Sequence, residues 1–305
     1  MSTLQLNIPS NAMGGIVAIG NFDGVHRGHQ SMLLRARDVA HEVGGPVVIV
    51  TFDPHPVRIL SPEINLPVLT LMEDRSRLLQ QHGADAVVVL PVSDSLLAMA
   101  PDKFFHTVIV DQLQARGMVE GPDFRFGRNR AGNIEMLSSL CSEAKIRLTV
   151  IDEVTESSEM ISSSRIRECI AAGDVSGAAE LLGRPPFVSG TVIRGDGRGR
   201  GLGFPTANLE IRDVLIPPDG VYAGRAQITN RRIPVAISVG SNPTFQSTER
   251  RIECHLIDYD GDLYDRTLSV DFLQRIRSLT PFKTVEELKE AIATDVEICR
   301  RITAA

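Results

Sequence analysis

His26 and His29 stand three residues apart in the stretch Gly20-Asn21-Phe22-Asp23-Gly24-Val25-His26-Arg27-Gly28-His29. Two imidazoles at that spacing can hydrogen-bond phosphate oxygens and stabilise the charge that grows on a leaving pyrophosphate. The elements on either side must aim them. Gly15 to Ile19, just before, is short and apolar and reads as a buried parallel strand. Ser31 to His41, just after, carries Leu33, Leu34, Ala36, Arg37 and Ala40 at roughly helical spacing. A strand, a glycine loop and a helix in that order point free backbone N–H groups and a positive helix end at one place, where a polyphosphate binds. The plain alternative is two histidines capping a loop. The whole string from Gly20 to His29, with Gly24 and Gly28 between, favours nucleotide chemistry.

Three further polar segments follow strand-like or helix-starting positions. Thr51-Phe52-Asp53-Pro54-His55-Pro56 comes after a second apolar run, where ligands of parallel sheets bind; it also reads as a proline-stiffened loop. Gly121-Pro122-Asp123-Phe124-Arg125-Phe126-Gly127 can offer backbone contacts to a base or ribose. Ile161-Ser162-Ser163-Ser164-Arg165-Ile166-Arg167 opens a helix, so its hydroxyls and amide groups suit phosphate oxygens with an arginine as countercharge. A serine N-cap with solvated arginines is the alternative there. All three are expected to follow strands on one edge of the sheet.

The second half holds Arg194-Gly195-Asp196-Gly197-Arg198-Gly199-Arg200-Gly201-Leu202-Gly203-Phe204-Pro205-Thr206-Ala207-Asn208. This is no Walker A loop, because no Gly-Lys-Ser/Thr opens a helix, and no Rossmann fingerprint, because proline and a strand follow. Glycines this dense let backbone approach a phosphate chain. Thr206 and Asn208 add two neutral oxygens suited to a Mg2+ ion shared with nucleotide phosphates. A flexible linker is the alternative. Further on, Arg251 to Leu256 alternates, so Glu253 and His255 project from the face opposite Ile252, Cys254 and Leu256. A carboxylate there can take a proton from a substrate hydroxyl during phosphoryl transfer, or can simply be solvated.

The chain that must carry these groups has 305 residues, enough for two domains. Runs at Pro46–Phe52, Ala86–Leu90, Gly117–Glu120 and Arg147–Ile151 read as strands, with helices expected at Leu71–His82, Pro101–Ala115 and Asn133–Ala144. That alternation predicts an α/β doubly wound domain. Helices are expected at Arg165–Ala172 and Val175–Leu182 before Gly183-Arg184-Pro185-Pro186 breaks the pattern. Short strands then predict a small antiparallel β-barrel or sandwich, with a hairpin turn at Tyr259-Asp260-Gly261-Asp262 and a C-terminal helix opened by Thr284 and Glu287. A net charge of -6 argues against nucleic acid as main partner, and no apolar run is long enough to span a bilayer. No signal peptide is evident. Cys141, Cys169, Cys254 and Cys299 lack Cys-x-x-Cys spacing and read as reduced packing residues in a cytoplasmic protein.

Together these residues resemble the bifunctional bacterial riboflavin kinase/FAD synthetase family over nearly the whole chain. Gly20 to His29, Asp123 to Gly127 and Ile161 to Arg167 match its adenylyltransferase motifs. Gly203 to Asn208, Gly220 to Ala223, Ser238 to Phe245, Glu253 to Leu256 and Asp262 to Tyr264 match its kinase motifs. The resemblance implies an FMN adenylyltransferase domain of nucleotidyltransferase type at 1–183 and a riboflavin kinase barrel with its helix at 184–305. It implies that riboflavin is phosphorylated by ATP to FMN, and that FMN attacks a second ATP to give FAD and pyrophosphate, with Mg2+ as metal. His26, His29 and Arg167 would act in adenylyl transfer and Glu253 in the kinase. Nucleotide contacts would come from Gly20, Asn21, Phe22, Asp23, Gly24, Gly28, Asp123, Phe124, Ser163 and Ser164, and in the barrel from Gly195, Gly197, Gly199, Gly203, Pro205 and Thr206. Flavin would meet Phe52, Asp53, Pro54 and Asn242, and the metal Thr206 and Asn208. Where the family commonly has glycine, this chain has Gln246 and Asp265, which bears on flavin affinity and turn geometry. One active half, or a flavin-binding regulator without turnover, are the alternatives. No oligomeric state follows from the sequence.

Overall fold

The computed structural model describes residues 8–64, 66–195, 197–211, 213–229, 231–240 and 250–304; Asn242 and Gln246 lie outside them. The chain divides into two compact units, 1–162 and 163–305.

The first unit is built on β1 (Ile16–Ile19), β2 (Val47–Asp53), β3 (Ala86–Pro91), β4 (Gly117–Glu120) and β5 (Arg147–Val150). β1 and β4 are buried along their whole lengths, as strands covered on both faces must be. Every pairing is parallel, in the order β3-β2-β1-β4-β5. Strand order therefore reverses beside β1, and the crevice of such a sheet opens at the carboxyl ends of β1 and β4. The expected doubly wound fold is present.

Helices α1 (Arg27–Val43), α2 (Pro56–Leu60), α3 (Met72–Gln81), α4 (Asp94–Leu97), α5 (Pro101–Phe104) and α6 (Ile134–Ala144) connect the strands. α1 begins earlier than the hydrophobic period indicates, because the His26 ring caps it by accepting from the His29 backbone N–H at 3.4 Å. The helix expected over Pro101–Ala115 is α5 followed by a π-helical turn, Phe105–Gln112, that buries Phe105, Val108 and Ile109. A two-stranded ribbon, β6 (Thr155–Glu156) with β7 (Glu159–Met160), ends the unit. The segment Ile161–Arg167 thus follows this ribbon and not a strand of the main sheet. That corrects the expectation that all three polar loops share one sheet edge.

The second unit starts with α7 (Ser163–Ala172) and α8 (Val175–Leu182), which pack on each other. Six antiparallel strands close a barrel: β8 (Phe187–Ile193), β9 (Ala207–Glu210), β10 (Gly220–Ile228), β11 (Arg231–Gly240), β12 (Arg251–Leu256) and β13 (Thr267–Arg277), in the order β10-β11-β12-β9-β8-β13. A short helix, α9 (Arg198–Leu202), sits in the glycine segment between β8 and β9. α10 (Val285–Ala304) lies on the barrel through Val296 and Cys299, which pack with Ala223 and Ala236. The hairpin expected at Asp260-Gly261 does not form. β12 is already paired on both edges, with β11 and β9, so the loop after it crosses to β13 without a two-residue turn.

Candidate active sites

Beside β1 the chain leaves the sheet through Gly20, whose N–H donates to the Val50 carbonyl at 3.0 Å. The next turn is unusual: Phe22, Gly24 and Val25 have φ of 49°, 84° and 45°. A β-branched residue at positive φ is an outlier that surrounding structure must hold. Asp23 does the holding. Its carboxylate, 1 % exposed, accepts from the N–H groups of Leu69 and Thr70, from the Thr70 hydroxyl and from the Arg75 guanidinium. Asp23, expected among the nucleotide contacts, thus spends its oxygens inward on the loop.

The turn delivers His26 and His29 as a stacked pair, ring centroids 3.6 Å apart and planes 20° from parallel, with Phe22 tilted against His29. Gly28 leaves room for the His26 ring, since a Cβ there would lie 3.2 Å from it. Burial pushes the His26 imidazole down to about 4, partly offset by the Asp23 carboxylate. His29 is also driven well below its ordinary value by burial, by His26 and by Arg75. Both rings are therefore neutral near pH 7, and the buried Nδ1 of His29 and Oδ1 of Asn21 have no hydrogen-bond partner among the described residues. Two neutral rings at a helix N-terminus, each with one N–H, can offer hydrogen bonds to an anion, while the Asn21 oxygen can only accept one.

Around the same sheet end, Phe52 and Pro54 are half-buried and Asp53 exposed, with a cis bond between Asp53 and Pro54. After β4, Asp123 is exposed and Phe124 stacks on Phe126. Glu120 closes the gap between β1 and β4 by accepting from the Ile19 N–H at 2.9 Å; burial raises its carboxyl well above the usual range. In the second unit, Ser163, Ser164 and Arg167 occupy the first turns of α7, Ser164 exposed and the other two half-buried.

The barrel brings its own group together. Strand register sets Glu253 opposite Asn208, and Asn208 opposite Ile193. Directly opposed residues of antiparallel strands have Cβ atoms about 5 Å apart on one face. The carboxylate and the amide named from sequence are therefore immediate neighbours. Gly195 packs so closely on the Asn208 amide that any Cβ would overlap it, and Gly199 packs likewise on the Phe204 carbonyl. Gly197 and Gly203 have φ of 70° and 91°, which bracket α9. Pro205 is fixed by its carbonyl, 2.8 Å from His255 Nδ1, while Phe204 meets the same imidazole edge-on.

A cavity of about 420 Å³ opens here, lined by Val192, Arg200, Pro205, Thr206, Tyr259 and Tyr264 among others. Arg194 lies over the Tyr264 ring at 5.2 Å. Sequence reasoning named Pro205 and Thr206 for the site and placed Tyr264 in a kinase motif, but missed Arg200, Tyr259 and the His255 contact. The two tyrosines flank Asp260-Gly261, whose resemblance to a hairpin turn hid the loop's place in the cavity wall.

The FAD synthetase family profile matches residues 8–165 and the riboflavin kinase profile residues 182–303. A bifunctional riboflavin kinase/FMN adenylyltransferase of Pseudomonas fluorescens is 34% identical, over 98% of this chain and 96% of that protein. One of the same description from Bacillus subtilis is 33% identical, over 97% and 96%. A crystal structure from Streptococcus pneumoniae, described as a macrolide-efflux protein, superposes with a TM-score of 0.88 at 32% identity, covering 97% of this chain and 95% of that one. Among the described residues no helix is long and apolar enough to cross a membrane. On two family profiles and near-full-length relatives, the chain belongs to the bifunctional riboflavin kinase/FMN adenylyltransferase family.

Proposed function

We propose that the chain phosphorylates riboflavin to FMN in the barrel and adenylylates FMN to FAD in the α/β unit. One observation carries this reading: each unit holds its own phosphate-directed constellation, and the two differ in chemistry. In the barrel, a carboxylate stands opposite an amide on strands whose neighbouring residues Thr206, Ala207 and Leu256 line a cavity of about 420 Å³. In the α/β unit, neutral imidazoles stack at a helix N-terminus where no base is needed.

In the kinase step Glu253 accepts the proton of the terminal ribityl hydroxyl as its oxygen attacks the γ-phosphorus of ATP and ADP leaves. The glycine segment, through Gly195, Gly197, Gly199 and Gly203 with Pro205 and Thr206, lets backbone close on the phosphates. Thr206 and Asn208 fit Mg2+ because both offer neutral hard oxygens. Among the described residues no cluster of three His, Cys, Asp or Glu could hold a metal, so the ion would arrive with the nucleotide phosphates and offset their charge. Asn242 is assigned to the flavin by motif alone.

In the transferase step an FMN phosphate oxygen attacks the α-phosphorus of ATP, the bond to the bridging oxygen breaks, and pyrophosphate leaves. The nucleophile is already an anion, so His26 and His29 serve by donating hydrogen bonds to the growing charge. Gly20, Asn21, Phe22, Gly24 and Gly28 shape the loop, and Asp123 and Phe124 contact the nucleotide. Phe52, Asp53 and Pro54 contact the flavin. Ser163, Ser164 and Arg167 are assigned to phosphate on their chemistry. We place the functional division at 183/184, close to where the riboflavin kinase match begins at 182. We place the enzyme in the cytoplasm, with small molecules as its partners.

The test is incubation with riboflavin, ATP and Mg2+ followed by resolution of FMN and FAD. His29→Ala is expected to stop FAD while sparing FMN. Glu253→Ala is expected to stop FMN yet convert supplied FMN to FAD. Absence of both products from the unsubstituted chain sinks the reading.

A further inference from the structure

Arg75, on α3, is 3 % exposed, and its guanidinium is spent entirely on holding other protein groups. Nη2 donates to the Asp23 carboxylate and to the Thr70 carbonyl, each at 3.0 Å, and Nη1 donates to the Asn21 carbonyl at 2.9 Å. Nε reaches the Thr70 hydroxyl at 3.4 Å, and that hydroxyl in turn accepts from the Gly24 N–H at 3.1 Å. The Asn21 carbonyl also accepts from the Thr51 hydroxyl of β2 at 3.0 Å. One side chain therefore grips the histidine loop at three points, the Asn21 backbone, the Asp23 carboxylate and, through Thr70, the Gly24 backbone.

A buried ion pair seldom adds net stability, because both charges must lose water. Its planar fork does fix geometry, since guanidinium donors diverge at set angles. The loop needs such fixing. Phe22 and Val25 both sit at positive φ, and the loop ends directly at His26, whose ring caps α1 and stacks on His29. If the loop relaxed toward ordinary backbone angles, the stacked rings would move with it. Arg75 itself, buried beneath the loop, offers nothing to a ligand.

We propose that Arg75 is a positioning residue for adenylyl transfer, which sets the aim of His26 and His29 through Asp23 and the Asn21 carbonyl without meeting the substrate. This rests on the transferase reading given above. A misplacement near 1 Å costs on the order of 100-fold in rate. The fork geometry, and not charge alone, is what matters, so a lysine that still neutralises Asp23 is an insufficient replacement.

The experiment compares Arg75→Lys, the uncharged pair Asp23→Asn/Arg75→Gln, and the unsubstituted full chain. Each is measured for kcat and KM of FAD formation from FMN and ATP, for riboflavin phosphorylation, and for helical circular dichroism. Arg75→Lys is expected to keep its circular dichroism and full kinase turnover. Its kcat for FAD is expected to fall roughly 10- to 100-fold, with KM for FMN within about threefold. The uncharged pair, which buries no lone charge, is expected to show the same kcat loss. Should either variant, folded and kinase-active, form FAD with kcat within about threefold of the unsubstituted chain, Arg75 is a fold element only and the proposal is overturned. An unsubstituted chain that makes FMN but no FAD defeats the transferase reading, and this proposal with it.

Discussion

Lowering the pH should take stability from the α/β unit through His26. Its ring is 6 % exposed, and burial brings its pKa from 6.5 to about 4. The unfolded chain takes up a proton near pH 6.5 that the folded unit refuses until near pH 4. The stabilisation is therefore complete above the unfolded value and is lost as pH falls through this window. At about 1.4 kcal/mol per pH unit, the drop from 6.5 to 4.5 removes roughly 3 kcal/mol. Against a typical domain stability of about 5–15 kcal/mol, that shifts a urea midpoint by roughly 1–3 M. The perturbation is His26→Asn, which cannot titrate yet still offers an oxygen to cap α1. All three tyrosines, Tyr222, Tyr259 and Tyr264, lie in the second unit, and the chain has no tryptophan. Tyrosine fluorescence thus follows the barrel, while circular dichroism follows both units. Urea titrations at pH 7.5 and 4.5 should show the unsubstituted α/β transition falling about 3 kcal/mol further than that of His26→Asn. Equal losses in the two proteins would refute the idea that His26 is held neutral by burial.

Gly195→Ala forces a Cβ into the Asn208 amide; kinase turnover should fall at least about 10-fold while FAD formation from supplied FMN is unchanged, and a fully active kinase would contradict the packing. Asp265 has φ of 60°, so Asp265→Gly trades left-handed strain for chain entropy; thermal denaturation should show a change within about 1 kcal/mol, and a larger gain would mean the aspartate is strained. Burial raises the thiols of Cys141 and Cys299 to about 12 and pushes Cys254 up as well, leaving Cys169 half-exposed. A disulfide reagent should therefore modify Cys169 first in the native protein, and rapid modification of any of the other three would overturn that reading.

Much of this architecture was legible because it is written in local pattern. Buried runs such as Ile16–Ile19 and the glycine-histidine string mark a strand and the loop after it within a few residues. Alternation over Arg251–Leu256 put Glu253 on the right face, though only the register showed that face to hold Asn208 as well. What stayed hidden depends on distant partners. Asp23 reads as a ligand group until Arg75, 52 residues away, is seen to claim it. The π-helical turn at Phe105–Gln112 has an α-like apolar period, and the widening shows only in its backbone hydrogen bonds, such as that from the Leu113 N–H to the Val108 carbonyl five residues back at 3.0 Å. Asp260-Gly261 carries hairpin chemistry, but a turn needs two free strand edges, and β12 has none left.

α8 has a consequence for how these two catalysts can be inherited. Val175, Ala178, Leu181 and Leu182 are buried, and Val175 belongs to the same apolar cluster as Tyr222 and Phe272 inside the barrel unit. A gene split after Gly183 would give the barrel a raw apolar surface where α8 packs on β13. A lineage that parted the two activities there would have to evolve a new cover for the kinase, or carry α7 and α8 along with it.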